Sequence, residues 1–140
     1  MIFDKCFSRC SKTQRIIVSE ENNRKHCATN VSRDKVFHFK IDGDIIPSGS
    51  SDRRCDYALE DETKKTLYLI ELKGNDVVHA VEQIEGTIIK FADSFSGYKL
   101  FPRVVCRKSS THSIYSSKVV RFIRRYPKTI IKENVIEESI

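Results

Sequence analysis

The sequence lacks several features that would place it in a familiar class. No apolar run approaches the roughly 20 residues that a membrane-spanning helix needs. The opening residues also lack the apolar stretch of a secretory signal, which favours a cytoplasmic protein. Because the sequence contains no P-loop, no GxGxxG motif and no recognisable serine or cysteine triad, it gives no sign of the common nucleotide-binding or acyl-transfer classes.

The cysteines also lack a recognisable framework. The five are scattered and odd in number, which is typical of free thiols in a reducing compartment. A zinc site built from Cys6, Cys10, His26 and Cys27 is a minor alternative. It is disfavoured because the sequence has no Cys-x-x-Cys pair and no spaced histidine pair.

Acidic residues are missing from residues 94–132, although this stretch contains ten basic ones and the whole chain has a net charge of +6. A long stretch of one sign favours a polyanionic partner, because each neutralised phosphate releases condensed counterions. An ordinary solvated helix face with charged strand edges is the alternative. The candidate nucleic-acid-binding residues are Lys118, Arg121, Arg124 and Arg125, which share the outer face of a predicted helix.

The length of 140 residues predicts a single domain over 1–140. We expect residues 1–34 to be an N-terminal extension of uncertain structure, with a short helix from Ser19, and residues 133–140 to be an acidic tail. The order of elements between them indicates an α/β fold with a mixed sheet. Strands are predicted at 35–41 (turning at 42–44 into a hairpin with 45–46), 55–59, 67–73, 98–106 and 129–132, and helices at 76–92 and 113–126.

Three charged residues, Asp56, Glu71 and Lys73, lie in two predicted strands that are otherwise apolar enough to be buried. Alternate side chains of a strand share a face, so Glu71 and Lys73 project together, and strand pairing can bring Asp56 beside Glu71. Two adjacent carboxylates repel unless a cation bridges them. Oxygen ligands of this kind suit Mg²⁺ or Mn²⁺, with the Leu72 carbonyl as a further ligand.

This arrangement predicts metal-assisted phosphodiester cleavage, in which Lys73 positions or deprotonates the attacking water or stabilises the charge on the phosphorane. The alternative is an exposed face of an antiparallel strand, where alternating charges are ordinary. The apolar residues at 67, 69, 70 and 72 weaken that alternative.

Asp56, a hairpin turn, Glu71-Leu72-Lys73 on an apolar strand and a following helix resemble the core of the PD-(D/E)xK nuclease superfamily, which includes restriction endonucleases and Holliday junction resolvases. The resemblance covers about residues 36–106. It implies a restriction endonuclease-like core, with a central mixed β-sheet flanked by helices. It further implies that Asp56 and Glu71 bind the metal and that Lys73 assists the nucleophile.

Some members of that superfamily carry a glutamine on the next helix, and Gln83 fits that position. Cys55 stands where the name of the motif has proline. The acid expected upstream has several candidates. These are Glu20 and Glu21 by their order in the chain, and Asp42 and Asp44 from the predicted hairpin.

We therefore expect a metal-dependent nuclease that acts on nucleic acid, DNA more than RNA. A homodimer or larger complex would allow one site per chain to cut both strands of a duplex. The alternative is a catalytically inactive nuclease-fold module that binds nucleic acid or a protein partner.

Overall fold

The computed structural model describes residues 2–74, 76–107 and 111–140, without the side chains of residues 73, 74, 111 and 112. In this part of the chain two mixed sheets and three helices form an α/β fold, as predicted. None of the described helices is long and apolar enough to span a membrane. The strands are β1 (Ile16–Glu21), β2 (Arg24–Thr29), β3 (Val36–Lys40), β4 (Tyr57–Asp61), β5 (Thr66–Gly74), β6 (Lys99–Cys106), β7 (Ile130–Glu133) and β8 (Val135–Ser139), and the helices are α1 (Val77–Lys90), α2 (Thr111–Ile114) and α3 (Ser117–Arg125).

The larger sheet has the order β3-β4-β5-β6-β7. Strands β3, β4 and β5 pair antiparallel, whereas β5, β6 and β7 pair parallel. Helix α1 makes the crossover from β5 to β6 and begins at Asp76, whose side chain accepts a hydrogen bond from Val78 N. This order matches the predicted strand, strand, helix and strand between residues 55 and 106.

The predicted hairpin of residues 35–46 is wrong. Asp42 and Ile46 form only an isolated bridge around Gly43, whose φ of 123° closes a tight turn. Strand β3 pairs instead with β4, which begins at Tyr57. The polar turn at 42–44 was recognised correctly, but the two apolar residues after it return to the core without forming a strand.

Both faces of the larger sheet are covered, which explains why β5 is apolar along its length. Leu67 and Leu69 pack against the helical layer, together with Val81 and Ile84 of α1. The residues that alternate with them, including Ile70, pack against the smaller sheet. The charged side chains of Glu60, Glu71 and Arg103, one in each of β4, β5 and β6, are therefore buried inside the protein.

The smaller sheet has the order β1-β2-β8, and sequence reasoning missed it. The expected helix from Ser19 is wrong, because β1 and β2 form a hairpin through Asn22 and Asn23, both with positive φ. The segment expected as an acidic tail contains β8, which pairs parallel with β2. Ile17, Ala28 and Ile136 project inward from these three strands, and this burial holds the sheet in place.

The predicted helix at 113–126 is broken into α2 and α3. The Ser116 side chain accepts a hydrogen bond from Val119 N and starts a new helix there. Tyr115, at the break, is 75% exposed. Val119 and Phe122 are buried, so one face of α3 packs against the core.

Candidate active site

A cavity of about 500 Å³ lies where β4 and β5 meet the first turns of α1. Asp56, Glu71 and Gln83, which are far apart in the sequence, all line it. Asp42 lines the same cavity from the turn after β3. The structure therefore brings together three of the four predicted catalytic side chains. The fourth, that of Lys73, lies outside the described residues.

Asp56 is fixed by its backbone as well as by its side chain. Its N–H donates to Ile70 O at 3.0 Å, and its carbonyl accepts from Ile41 N at 2.9 Å. The carboxylate is 2% exposed and accepts from Leu72 N through Oδ2 at 2.7 Å. This bond fixes the carboxylate at the wall of the cavity.

Glu71 is 4% exposed and reaches the cavity from the face of β5 that also carries Leu69. Two buried carboxylates in one cavity repel each other, and their desolvation is costly unless a cation or donor compensates it. Mg²⁺ is commonly held by one or two carboxylates while it keeps several waters. The donor set of Asp56 and Glu71 fits that pattern.

No closed metal site of the zinc type is formed by the described side chains. Among them, no three His, Cys, Asp or Glu residues form a group that could hold a metal ion. Cys27 follows His26 in β2, so the two side chains point to opposite faces, and His26 is bound to Glu138. The zinc alternative with Cys6 and Cys10 is therefore dropped. All five cysteines are free thiols.

The backbone at Leu72 is held by side chains on two sides. Its N–H donates to Asp56, and its carbonyl accepts from Arg24 Nη1 at 3.1 Å. The pairing of β5 with β6 shifts register between Glu71 and Gly74, so the ladder is interrupted at this point. The predicted metal ligand, the Leu72 carbonyl, is thus engaged by a guanidinium from the smaller sheet.

Arg24 is 7% exposed and binds the Leu72 carbonyl from β2, a strand that sequence reasoning did not recognise. It therefore holds the backbone of the residue between Glu71 and Lys73, whose N–H donates to Asp56. We expect Arg24→Met to lower Mn²⁺ affinity about 10- to 100-fold, which is the usual cost of losing a group that acts behind a metal ligand, here through the bond from Leu72 N to Asp56. Arg24→Lys should restore part of that affinity.

Manganese titration followed by electron paramagnetic resonance would measure this effect, with thermal unfolding recorded on the same samples. Arg15→Met, an exposed position next to β1, removes the same charge and is the matched control. Unchanged Mn²⁺ affinity in a folded Arg24→Met protein would contradict the assigned role.

The four candidates for the upstream acid have different surroundings. Glu20 pairs with Lys25 and Asp44 pairs with Arg9. Glu21 lies 3.7 Å from Lys40 Nζ. Those three acids do not line the cavity, whereas Asp42 does.

Asp42 is held in place by Arg54, whose Nε donates to Asp42 Oδ1 at 3.1 Å. The same guanidinium donates to the carbonyls of Ser48, Ser50 and Asp52. One arginine therefore holds the loop of residues 47–54 together and orients the acid beside it. In the sequence, the only sign of this role was a pair of arginines at the end of a Ser/Gly-rich loop.

The wall of the cavity depends on a close approach between this loop and α1. A Cβ at Gly86 would lie 2.6 Å from Arg53 Cβ and 2.9 Å from Arg53 O, so only glycine fits there. His79, Gln83 and Gly86 follow one stripe of the helix. His79 was interpreted as an ordinary surface histidine, but it lines the cavity.

Cys55 occupies the place of the motif's proline and makes a bond that proline could not make. Its N–H donates to Thr87 Oγ1 at 2.8 Å, and Thr87 Oγ1 in turn donates to Gln83 O at 3.2 Å. Burial raises the pKa of the Cys55 thiol, which keeps it protonated. Cys55 therefore anchors the segment before Asp56 to α1.

The basic stretch divides into a buried part and an exposed part. Arg103 is buried in an ion pair with Glu138, so it is not available to a partner. Lys118 pairs with Glu85 of α1 at 2.7 Å. The three arginines of α3, Arg121, Arg124 and Arg125, are exposed. The outer face of α3 is therefore basic, as predicted.

Comparisons of the chain with protein-family models, with curated proteins and with solved structures found no match. The function must therefore be inferred from the cavity itself. The central features of the cavity are the two buried carboxylates, Asp56 and Glu71, and the loop and helix that enclose them.

Proposed function

We propose that the protein is a metal-dependent nuclease with a restriction endonuclease-like core, which hydrolyses phosphodiester bonds in nucleic acid, DNA more than RNA. One observation carries the proposal. Asp56 directly precedes β4, Glu71 lies on the adjacent strand β5, and both residues are almost fully buried and line one cavity. Burying two like charges is expensive, so such a pair is usually kept for a ligand or a reaction.

The topology supports the same proposal. The antiparallel β4–β5 hairpin, the crossover helix α1 and the parallel strand β6 follow the order that the resemblance implies. Asp42 would take the place of the upstream acid. Its carboxylate lines the cavity opposite α1 and is already oriented by Arg54.

Asp56 and Glu71 would hold Mg²⁺ or Mn²⁺, and the bound ion would offset the charge that develops on the scissile phosphate. Gln83 offers an amide that can donate to a phosphate oxygen or orient a water. Lys73, whose side chain lies outside the described residues, remains the predicted group that assists the nucleophile.

The nucleic-acid backbone would be bound at two basic places. Arg53 lies at the mouth of the cavity, paired with Glu82 of α1 at 2.7 Å. The exposed arginines of α3 lie on the helix that packs beside α1. Contacts of this type fix the position of the backbone without reading sequence, and their strength falls as salt rises.

A second candidate function is an inactive module of the same fold that binds nucleic acid or a protein. It is favoured by the Leu72 carbonyl, which is engaged by Arg24 instead of pointing into the cavity as a ligand. The two candidates differ in cleavage, not in binding.

The test is a cleavage assay with the full chain on labelled single- and double-stranded DNA and RNA. We expect cleavage with Mg²⁺ or Mn²⁺ and none after chelation with EDTA. Lys73→Ala should reduce the rate about 10²- to 10⁴-fold, the usual contribution of a group that transfers a proton. Substrate binding by the wild type without cleavage under any of these conditions would favour the binding module.

A further inference from the structure

A second cavity of about 420 Å³ lies between the N-terminal segment and the start of β3. It shares no lining residue with the first cavity. The two are separated by the length of β3, whose five residues span about 17 Å at ~3.3 Å per residue. The nuclease proposal makes no use of this cavity.

Three lysines line the second cavity. They are Lys5, Lys12 and Lys35. Its single lining carboxylate, Glu62, is paired with Lys35 at 2.7 Å. In the described part of the chain, no carboxylate forms an ion pair with Lys5 or Lys12. The cavity is therefore positively charged, and an anion bound there would relieve the repulsion between the lysines.

Two less polar residues also line the cavity. They are Phe37, which is buried, and Cys10, which is half-buried. The Ser8 hydroxyl is fixed beside them, because it accepts from His38 N at 3.1 Å. Burial raises the pKa of Cys10, so the thiol stays neutral and does not repel an anion. The ammonium of Lys35 lies 5.7 Å from the centre of the Phe37 ring.

We propose that this second cavity binds a phosphorylated ligand of nucleotide size. Its volume lies in the range of small-molecule sites. Lysines bind phosphate as point charges, and an aromatic residue in the same lining offers a contact for the ring of a nucleobase, which a simple inorganic anion lacks. The same chemistry is offered by a free nucleotide and by the terminal nucleotide of a strand that runs along β3 from the first cavity.

Calorimetric titration of the full chain in EDTA tests the proposal, because chelation prevents cleavage. The probes are adenosine monophosphate, adenosine and inorganic phosphate. The monophosphate should bind at least about tenfold more tightly than either other probe, since each lacks one recognised part worth about 1.4 kcal/mol or more. A 5′-phosphorylated trinucleotide is the fourth probe: tighter binding than the monophosphate identifies a strand end, and equal or weaker binding identifies a free nucleotide.

Substitution locates the site. Lys5→Ala with Lys12→Ala should weaken monophosphate binding at least about tenfold. Lys128→Ala with Lys132→Ala, two exposed positions elsewhere, removes the same charge and should leave binding unchanged. The ligand should also slow alkylation of Cys10 but not of Cys27, which lies on β2 away from the cavity; peptide mass mapping separates the two thiols.

Two results would overturn the proposal. One is the absence of monophosphate binding by the wild type. The other is equal binding by the wild type and the folded Lys5/Lys12 double variant, without protection of Cys10. Neither result depends on cleavage, so this proposal and the nuclease proposal can fail separately.

Discussion

Asp56→Asn is expected to abolish metal-dependent cleavage while the fold stays intact. The substitution leaves an amide oxygen that can still accept from Leu72 N, so the bond at 2.7 Å has a replacement. What is lost is the negative charge beside Glu71 that a divalent cation needs. Removing several kcal/mol of charge stabilisation in the transition state corresponds to a rate loss of about 10²- to 10³-fold or more.

Metal binding gives a second readout that does not require the right substrate. A ligand that binds only the folded state at 100 times its Kd adds about 2.7 kcal/mol to the free energy of unfolding. We expect Mn²⁺ to raise the melting temperature of the wild type and not that of Asp56→Asn. Without metal, the variant should remain folded, because its amide oxygen can still accept from Leu72 N.

Asp93→Asn is the matched control, because Asp93 is exposed beyond the end of α1 and carries the same charge. It should keep both cleavage and stabilisation by Mn²⁺. If Asp56→Asn were stabilised by Mn²⁺ as strongly as the wild type, the assignment of Asp56 as a metal ligand would be wrong.

Glu138→Gln is expected to cost about 3 to 5 kcal/mol of folding free energy, the range measured when one partner of a buried ion pair is removed. Glu138 lies on β8 and accepts from Arg103 of β6 through both oxygens, at 2.7 and 2.9 Å. It is also 2.7 Å from His26 Nε2 on β2. The residue therefore joins the smaller sheet to the larger one, and its loss leaves a buried guanidinium without its carboxylate.

The same group makes stability depend on pH. Burial alone would raise the pKa of Glu138, but hydrogen bonds from His26 and Arg103 outweigh it and lower the pKa to about 2. Because the folded-state pKa lies below the usual value of 4.5, the stabilisation is complete above about pH 4.5. It is lost as the pH falls from there towards 2.

Urea unfolding at pH 7, 5, 4 and 3 would measure both effects. The difference between the wild type and Glu138→Gln should be largest at pH 7 and should shrink below pH 4.5. Glu137→Gln, the exposed neighbour on the other face of β8, is the control and should change stability little. Equal losses for the two variants, or a difference that does not vary with pH, would refute the role given to Glu138.

The sequence predicted the elements around the first cavity because their signals are local. Helix α1 follows from the 3.6-residue spacing of Val77, Val81 and Ile84 and from its cap at Asp76. Strand β5 follows from its apolar run, and Asp56 and Glu71 were singled out because charges are rare in such strands. Once these elements pair as a hairpin beside α1, the placement of both carboxylates in one cavity follows.

The pattern in the first 34 residues was misread for a definable reason. Burial alternates along β1 and β2, but Ser19, Arg24 and His26 occupy inward positions that a pattern of apolar and polar residues assigns to solvent. Their partners, including His38, Leu72 and Glu138, lie far along the chain. Local periodicity cannot identify a buried polar residue whose partner is distant.

By itself, the sequence determined the order of the strands and the helix between residues 55 and 106, the apolar character of β5 and the choice of Asp56 and Glu71, because these depend on spacing along the chain. Only the tertiary structure decided that Asp42 lines the cavity, that Arg54 orients it and that Arg24 holds the Leu72 backbone. It alone also formed the second cavity beside Phe37. These features depend on contacts between distant segments, whose pairing is set by packing and charge compensation over the whole molecule.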